Sequence, residues 1–123
     1  QQNDEEVLIL NDLWLFNCNS NNWILLQNEC PISERYNHTM VSISSNFILI
    51  HGGECTGLFG DCWIYDINTR LFTEIPTPIG NSPCPRASHS SVFIYPYVII
   101  FGGLTNSSYC YDNTEGGKVV EDD

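Results

Sequence analysis

This chain repeats itself with a period near fifty residues. The segment Glu34-Arg35-Tyr36-Asn37-His38-Thr39 returns as Pro85-Arg86-Ala87-Ser88-His89-Ser90, with the arginine and the histidine both displaced by 51 positions, from 35 to 86 and from 38 to 89. Each copy leads into an apolar run that closes on a glycine pair: 47–50 before His51-Gly52-Gly53, and 97–101 before Gly102-Gly103. A second element recurs out of phase. Asn11-Asp12-Leu13-Trp14-Leu15-Phe16-Asn17 is echoed by Gly60-Asp61-Cys62-Trp63-Ile64-Tyr65-Asp66, and again, without its leading acid, by Ser108-Tyr109-Cys110-Tyr111-Asp112. An aromatic residue, Trp23 and then Phe72, follows the first two copies. A repeat of this length marks an architecture in which each supersecondary unit stacks on the next, because one unit cannot bury its own faces.

The local pattern within each repeat is that of short strands. Leu13 and Leu15 alternate with Trp14 and Phe16, and Trp63 and Tyr65 alternate with Ile64, a period of two that places successive side chains on opposite faces. Both runs end in turn signals, Asn19-Ser20-Asn21-Asn22 and Asn68-Thr69-Arg70. The segments 40–44, 47–50, 91–95 and 98–101 are rich in β-branched and aromatic residues, and no segment shows a convincing helical period. The expectation is an all-β chain.

Arg-x-x-His, a strand ending in Gly-Gly, Asp-x-Trp-x-Tyr-Asp and a following aromatic together resemble the kelch repeat. That resemblance implies one four-stranded antiparallel β-propeller blade per copy. It covers 11–112. Asn17 stands where the family usually has Asp, and Phe72 where it usually has Trp. The implied layout is an acidic tail over 1–7, the outer strands of one blade over 8–29 with strands near 8–17 and 22–27, and a complete blade over 30–78. A partial third blade follows over 79–112, and then an acidic flexible tail or linker over 113–123. Two and a half blades cannot close a ring, so the chain is expected to be part of a longer propeller, or else to complete one with other chains.

The resemblance gives the landmarks structural roles. Gly52, Gly53, Gly102 and Gly103 would end strands in tight turns. Arg35 and Arg86 would hold backbone carbonyls or a carboxylate between blades. His38 and His89 mark the inner strands, and Asp61, Trp63, Tyr65 and Asp66 form the third-strand motif. Trp14, Trp23, Trp63 and Phe72 would pack between neighbouring sheets.

Composition narrows the function. Fifteen Asp and Glu against four Lys and Arg give a net charge of -11, a surface that repels phosphate backbones and disfavours nucleic acid. No run approaches the roughly 18 apolar residues of a membrane span, so direct insertion is not expected. Six cysteines are too few for a disulfide scaffold, but Cys55 and Cys62 bracket a glycine-containing loop and are the expected bridge in an oxidising compartment. Asn37 and Asn106 head glycosylation sequons. The reading leans to a cytosolic or cytoskeletal location over an extracellular one. No nucleophile elbow, phosphate loop or zinc motif is present, and no cofactor is implied.

The expected function is a non-catalytic protein-interaction or scaffold module, whose partners are other proteins or further blades of the same propeller. The loops 54–61 and 104–108, carrying Leu58, Phe59, Leu104 and Asn106, are the candidate partner surface. The alternative is a segment of a secreted or surface glycoprotein or filament with stacked blades; a part of a kelch-propeller enzyme ranks below it.

Overall fold

The structure, a computed structural model, describes residues 5–77 and 82–107. Its secondary structure is eight antiparallel strands in three sheets. β1 (Leu13–Asn17) pairs with β2 (Asn22–Gln27). β3 (Thr39–Ser42), β4 (Phe47–His51), β5 (Cys62–Asp66) and β6 (Leu71–Ile75) form one four-stranded sheet in sequential order. β7 (Ser90–Ile94) pairs with β8 (Tyr97–Phe101) through a two-residue turn at Tyr95-Pro96. Among the described residues one four-stranded sheet is thus flanked by a two-stranded sheet on either side in the sequence. The described strands do not close a ring.

The repeated sequence produces repeated local geometry. The β1–β2 and β5–β6 turns each hold one non-glycine residue in the left-handed region, Asn21 at φ 56° and Arg70 at φ 60°. In the second turn, Asp66 Oδ1 accepts hydrogen bonds from the backbone N–H groups of Asn68 (2.9 Å) and Thr69 (3.4 Å). Asn17 Oδ1 does the same for Asn19 (2.9 Å) and Ser20 (3.2 Å). What the turn requires is a side-chain oxygen acceptor, which Asn supplies as well as Asp, so the departure from the family pattern at position 17 leaves the turn intact. Phe16 with Trp23 (ring centroids 4.9 Å apart, tilted 46°) and Tyr65 with Phe72 (4.6 Å, 45°) repeat one aromatic pairing.

The first strand is shorter than the sequence suggests, beginning at Leu13 and not near residue 8. The preceding backbone is committed elsewhere: Leu10 C=O accepts from Arg35 N–H (3.3 Å) and Asn11 C=O from Cys30 N–H (3.2 Å). These bonds tie 10–11 to the 30–35 connection, so the segment acts as a clasp between blades. The expected third strand of the last blade, over 108–112, and the tail over 113–123 lie outside the described residues, as does most of the tail over 1–7.

Where the first and second sheets meet, the seam is apolar. Cys30, Ile32 and Ile50 are buried, and Leu13, Ile48, Trp63 and Phe72 pack against them. The next seam, between β3 and β7, is built differently and carries the polar groups described below. Trp63 and Phe72 thus lie between sheets, whereas Trp14 (50% exposed) and Trp23 (66%) do not. Their face of β1–β2 has no neighbouring sheet among the described residues, and an aromatic ring is buried only where a second surface exists to cover it.

Candidate functional site

The repeated arginine is the centre of each blade connection. Arg35 sits just ahead of β3, is 7% exposed, and donates from Nε to Ser33 C=O (3.2 Å) and from Nη1 to Gly52 C=O (2.9 Å). Its fork grips Asp61 bidentately, Nη1 to Oδ1 at 2.7 Å and Nη2 to Oδ2 at 2.9 Å. Asp61 Oδ2 also accepts from the Trp63 indole N–H (2.7 Å), as Asp12 does from Trp14 (2.8 Å). Burial works to raise the Asp61 carboxyl, but the Arg35 and Trp63 hydrogen bonds outweigh it and hold the group below the usual carboxylate range. The ion pair was expected to run between blades. It lies within one blade, because Asp61 immediately precedes β5 of the same sheet that Arg35 enters.

Phe59 completes this cluster, with the Arg35 guanidinium 4.1 Å above its ring centroid. A cation over an aromatic face is a stabilising contact in itself. Phe59 is therefore half-buried and structural, not the freely exposed apolar group that the sequence suggests; Leu58 beside it is also half-buried. The 54–61 loop is closed by main-chain bonds, Phe59 N–H to Gly53 C=O (2.8 Å) and Cys55 N–H to Gly57 C=O (3.0 Å), and by a bridge between Glu54 and Leu58. The expected Cys55–Cys62 bridge is not formed here, and both residues are free thiols. Backbone bonds already pin the loop, and burial together with the Asp61 charge pushes the Cys62 thiol up, away from thiolate chemistry.

In the last sheet, Arg86 reproduces only part of this arrangement. It donates to Cys84 C=O (3.2 Å) and Gly102 C=O (3.1 Å), matching Arg35, but its Nη2 meets the Cys84 sulfur (3.3 Å) where Arg35 meets Asp61.

The two repeated histidines take different roles. His89 is 8% exposed, and its Nε2 lies 3.0 Å from His51 Nδ1 and 3.1 Å from Thr39 Oγ1. Thr39 Oγ1 is also 2.7 Å from Ser91 Oγ. The two imidazoles meet edge to face at 5.0 Å. Burial, with the charges of His89 and Arg86, lowers His51 from its ordinary 6.5 to about 4; burial and Arg86 lower His89 as well. Both rings are neutral at pH 7. His38, at the same repeat position as His89, is exposed beside a recess of about 250 Å³ framed by Leu10, Leu13, Arg35, Met40 and Phe72. The His51–His89 contact is absent from the sequence reading. Its only trace there is that His51 interrupts an apolar strand.

Gly52 and Gly53 allow this second seam to close. Their φ values are 67° and 100°, and a Cβ on Gly52 would lie 2.7 Å from both Arg86 O and His89 Cε1. Backbone bonds cross at the same place, Gly53 N–H to Arg86 C=O (2.9 Å), Arg86 N–H to Phe59 C=O (3.1 Å) and Ser88 N–H to Asn37 C=O (2.9 Å). Gly102 and Gly103 repeat the conformation at 69° and 88°. Tyr65 is buried at the centre of the middle sheet, and Asp66 caps its turn. Asn37, Leu104 and Asn106 are exposed, Asn37 in the left-handed region at φ 56°. Among the described residues no group of three or more His, Cys, Asp or Glu could hold a metal ion, and no helix is long and apolar enough to cross a membrane.

A sequential four-stranded antiparallel sheet between two two-stranded ones, joined through repeated Gly-Gly and Arg-x-x-His connections, is the arrangement of a β-propeller built blade by blade. Residues 2–103 match the KLHDC2/KLHL20/DRC7 Kelch-repeats domain. The chain belongs to the kelch-repeat family, whose domains are protein-interaction scaffolds. It is similar to the Leucine-zipper-like transcriptional regulator 1 homolog of Drosophila melanogaster, 31% identical over 81% of this chain and 11% of that protein. It is similar also to Kelch domain-containing protein 3 of Homo sapiens, 30% identical over 89% of this chain and 31% of that protein. Kelch repeat-containing protein 2 of Saccharomyces cerevisiae is 30% identical over 85% of this chain and 14% of its own length. The chain thus spans from about a tenth to a third of these relatives.

Proposed function

We propose that this chain is a non-catalytic segment of a larger kelch propeller or multi-subunit assembly, and that it presents protein partners with the loop face formed by 54–58 and 104–106. One observation supports this reading above the others. The chemically distinctive groups are occupied with one another, Arg35, Asp61 and Trp63 within the middle blade and His51 with His89 across the seam to the next sheet. What is left for a partner is the loop face, where Leu104 is 52% exposed. Loops on a rigid scaffold vary without disturbing it, and so carry recognition. With Phe59 engaged beneath Arg35, Leu58 and Leu104 are the apolar groups of this face, and Asn106 is a polar neighbour.

The reading is tested by replacing Leu58 and Leu104 with Ser in the full-length protein and comparing cross-linked partners by mass spectrometry. Loss of a partner from the double variant, with β-strand hydrogen exchange unchanged, is expected. Retention of every partner would remove the loop face from the proposal.

A further inference from the structure

The hairpins β1–β2 and β5–β6 occupy the same repeat positions, and they differ in charge. β5–β6 carries Asp66, Arg70 and Glu74; at the matching positions, 49 residues earlier (66 to 17), β1–β2 has Asn17, Asn21 and Leu25. From Leu13 to Asn28 no residue is charged. Strand register confirms the correspondence. Trp63 opposes Glu74 and Ile64 opposes Thr73, just as Trp14 opposes Leu25 and Leu15 opposes Ile24. The polar pair Thr73-Glu74 at the edge of the middle sheet is therefore replaced by Ile24-Leu25 at the edge of the first.

Both positions meet water even where a sheet packs alongside. Ile24 shares the face of Leu15 and Leu13, the face turned to the second sheet, and is still 43% exposed. Leu25 is 43% exposed on the opposite face; its counterpart Glu74 is exposed although it shares a face with Trp63 and Phe72, which pack in the first seam. An edge strand presents a row of unpaired backbone donors and acceptors, and folded proteins commonly guard it with charge. β6 has Glu74 for this purpose. β2 has no such guard, and among the described residues nothing pairs with its outer edge.

We propose that the outer edge of β2 pairs, over 22–25, with the same edge of a second copy of this chain, antiparallel about a two-fold axis. The charge distribution selects the occupant. A chain at net charge -11 repels its own copy wherever charged surfaces meet, and the uncharged hairpin is a surface at which two copies approach without that repulsion. A basic partner is drawn instead to the acidic surface elsewhere. An antiparallel edge is complementary to itself: each copy supplies the donors and acceptors that the other lacks, and Ile24 and Leu25 of both copies come side by side. The register of β1 against β2 shifts between Leu13 and Trp14, which leaves Leu26 without a partner. That irregularity bends the strand and ends the flat ladder. The contact is short, so the dimer is weak and reversible. It is a contact between copies on a different part of the fold from the loops 54–58 and 104–106, and so goes beyond the interaction reading.

The test is sedimentation velocity of the full-length protein over a concentration series, with amide hydrogen exchange at low and high concentration. A reversible monomer–dimer equilibrium is expected, with the added protection at high concentration falling on 22–25. Ile24→Thr combined with Leu25→Glu writes the β6 pair into β2, a pair that the fold already carries one blade later, and weakens the association at least about tenfold. Leu25→Glu and Leu25→Lys copies, each dissociated alone, associate again when mixed, which a folding defect would not produce. A protein that stays monomeric throughout, a dimer untouched by the double variant, or added protection that misses β2 each overturns the proposal. Cross-links from β2 to a different protein in place of a dimer would assign the edge to a foreign strand and overturn it as well. Leu58 and Leu104 are intact in all of these variants, so the loop-face reading and this one can fail separately.

Discussion

The two seams of this molecule do the same job with opposite chemistry. Between the first and second sheets the apolar side chains of Leu13, Cys30, Ile32, Ile50 and Phe72 pack together, and the polar side chain at hand, Asn11, is spent on the Cys30 and Ile32 carbonyls. Between the second and third, the contact of β3 with β7 is a chain of hydrogen-bonding groups, Ser91, Thr39, His89 and His51. Among the described residues the first seam involves the outer strands of its leading blade, and the second the inner strands of its trailing blade. The comparison is therefore between radial zones of a blade interface. Outer strands present broad, large-residue faces and gain by excluding water. Inner strands converge, and glycine pairs let backbones approach so closely that small polar side chains bridge the gap.

The largest expected effect breaks the element that both zones lean on. Asp61→Ala leaves the Arg35 guanidinium buried without its carboxylate and is expected to cost about 4 kcal/mol. Native-state hydrogen exchange of the intact protein would show it as lost protection across β4 and β5; unchanged protection there would mean that the carbonyls of Ser33 and Gly52 suffice.

Acid should separate the seams more sharply. His51 binds its proton near pH 6.5 when unfolded and near 4 when folded, so between these values the unfolded state holds more protons and stability rises with pH. The stability is complete above about 6.5 and is lost as pH falls toward 4, by about 3 kcal/mol for a shift of that size. The groups facing the pair are His38, Arg35, Arg86 and Asp61, and of these only the Asp61 charge favours protonation, while already held by Arg35. Asp61 is depressed, so its own contribution is present above its unfolded value and disappears only at lower pH. Exchange corrected for intrinsic rates should therefore show β3 and β7 loosening first, and His51→Gln should flatten the effect. Equal loosening of β1 would contradict the division into zones.

The smallest effect belongs to the apolar seam. Ile50→Val removes one buried methylene and is expected to cost about 1 kcal/mol at pH 7 and at pH 5 alike. A cost that grew with acid would mean that His38, which lines the same recess as Ile50, takes part in this seam.

Much of the fold could be read from the chain. Repetition exposed the blade, the alternation of Leu13 to Phe16 and Trp63 to Tyr65 exposed its strands, and glycine pairs marked where strands end. These signals are local: a period of two, a turn residue, a positive φ each act over a few residues and leave their mark in order along the sequence. The site was less legible. Phe59 looked exposed because nothing in its neighbourhood of sequence announces that Arg35, 24 positions earlier, lies over its ring. His51 and His89 stand 38 residues apart, and only the packing of β3 against β7 brings them to 3.0 Å.

The sequence by itself determined the identity, order and period of the strands, and the residues that turn them. Only the tertiary structure decided which arginine closes on a carboxylate, which histidine is buried, and which aromatic faces water. Those outcomes depend on a second surface arriving from a distant part of the chain, and burial, pairing and charge are properties of that meeting and not of either segment alone.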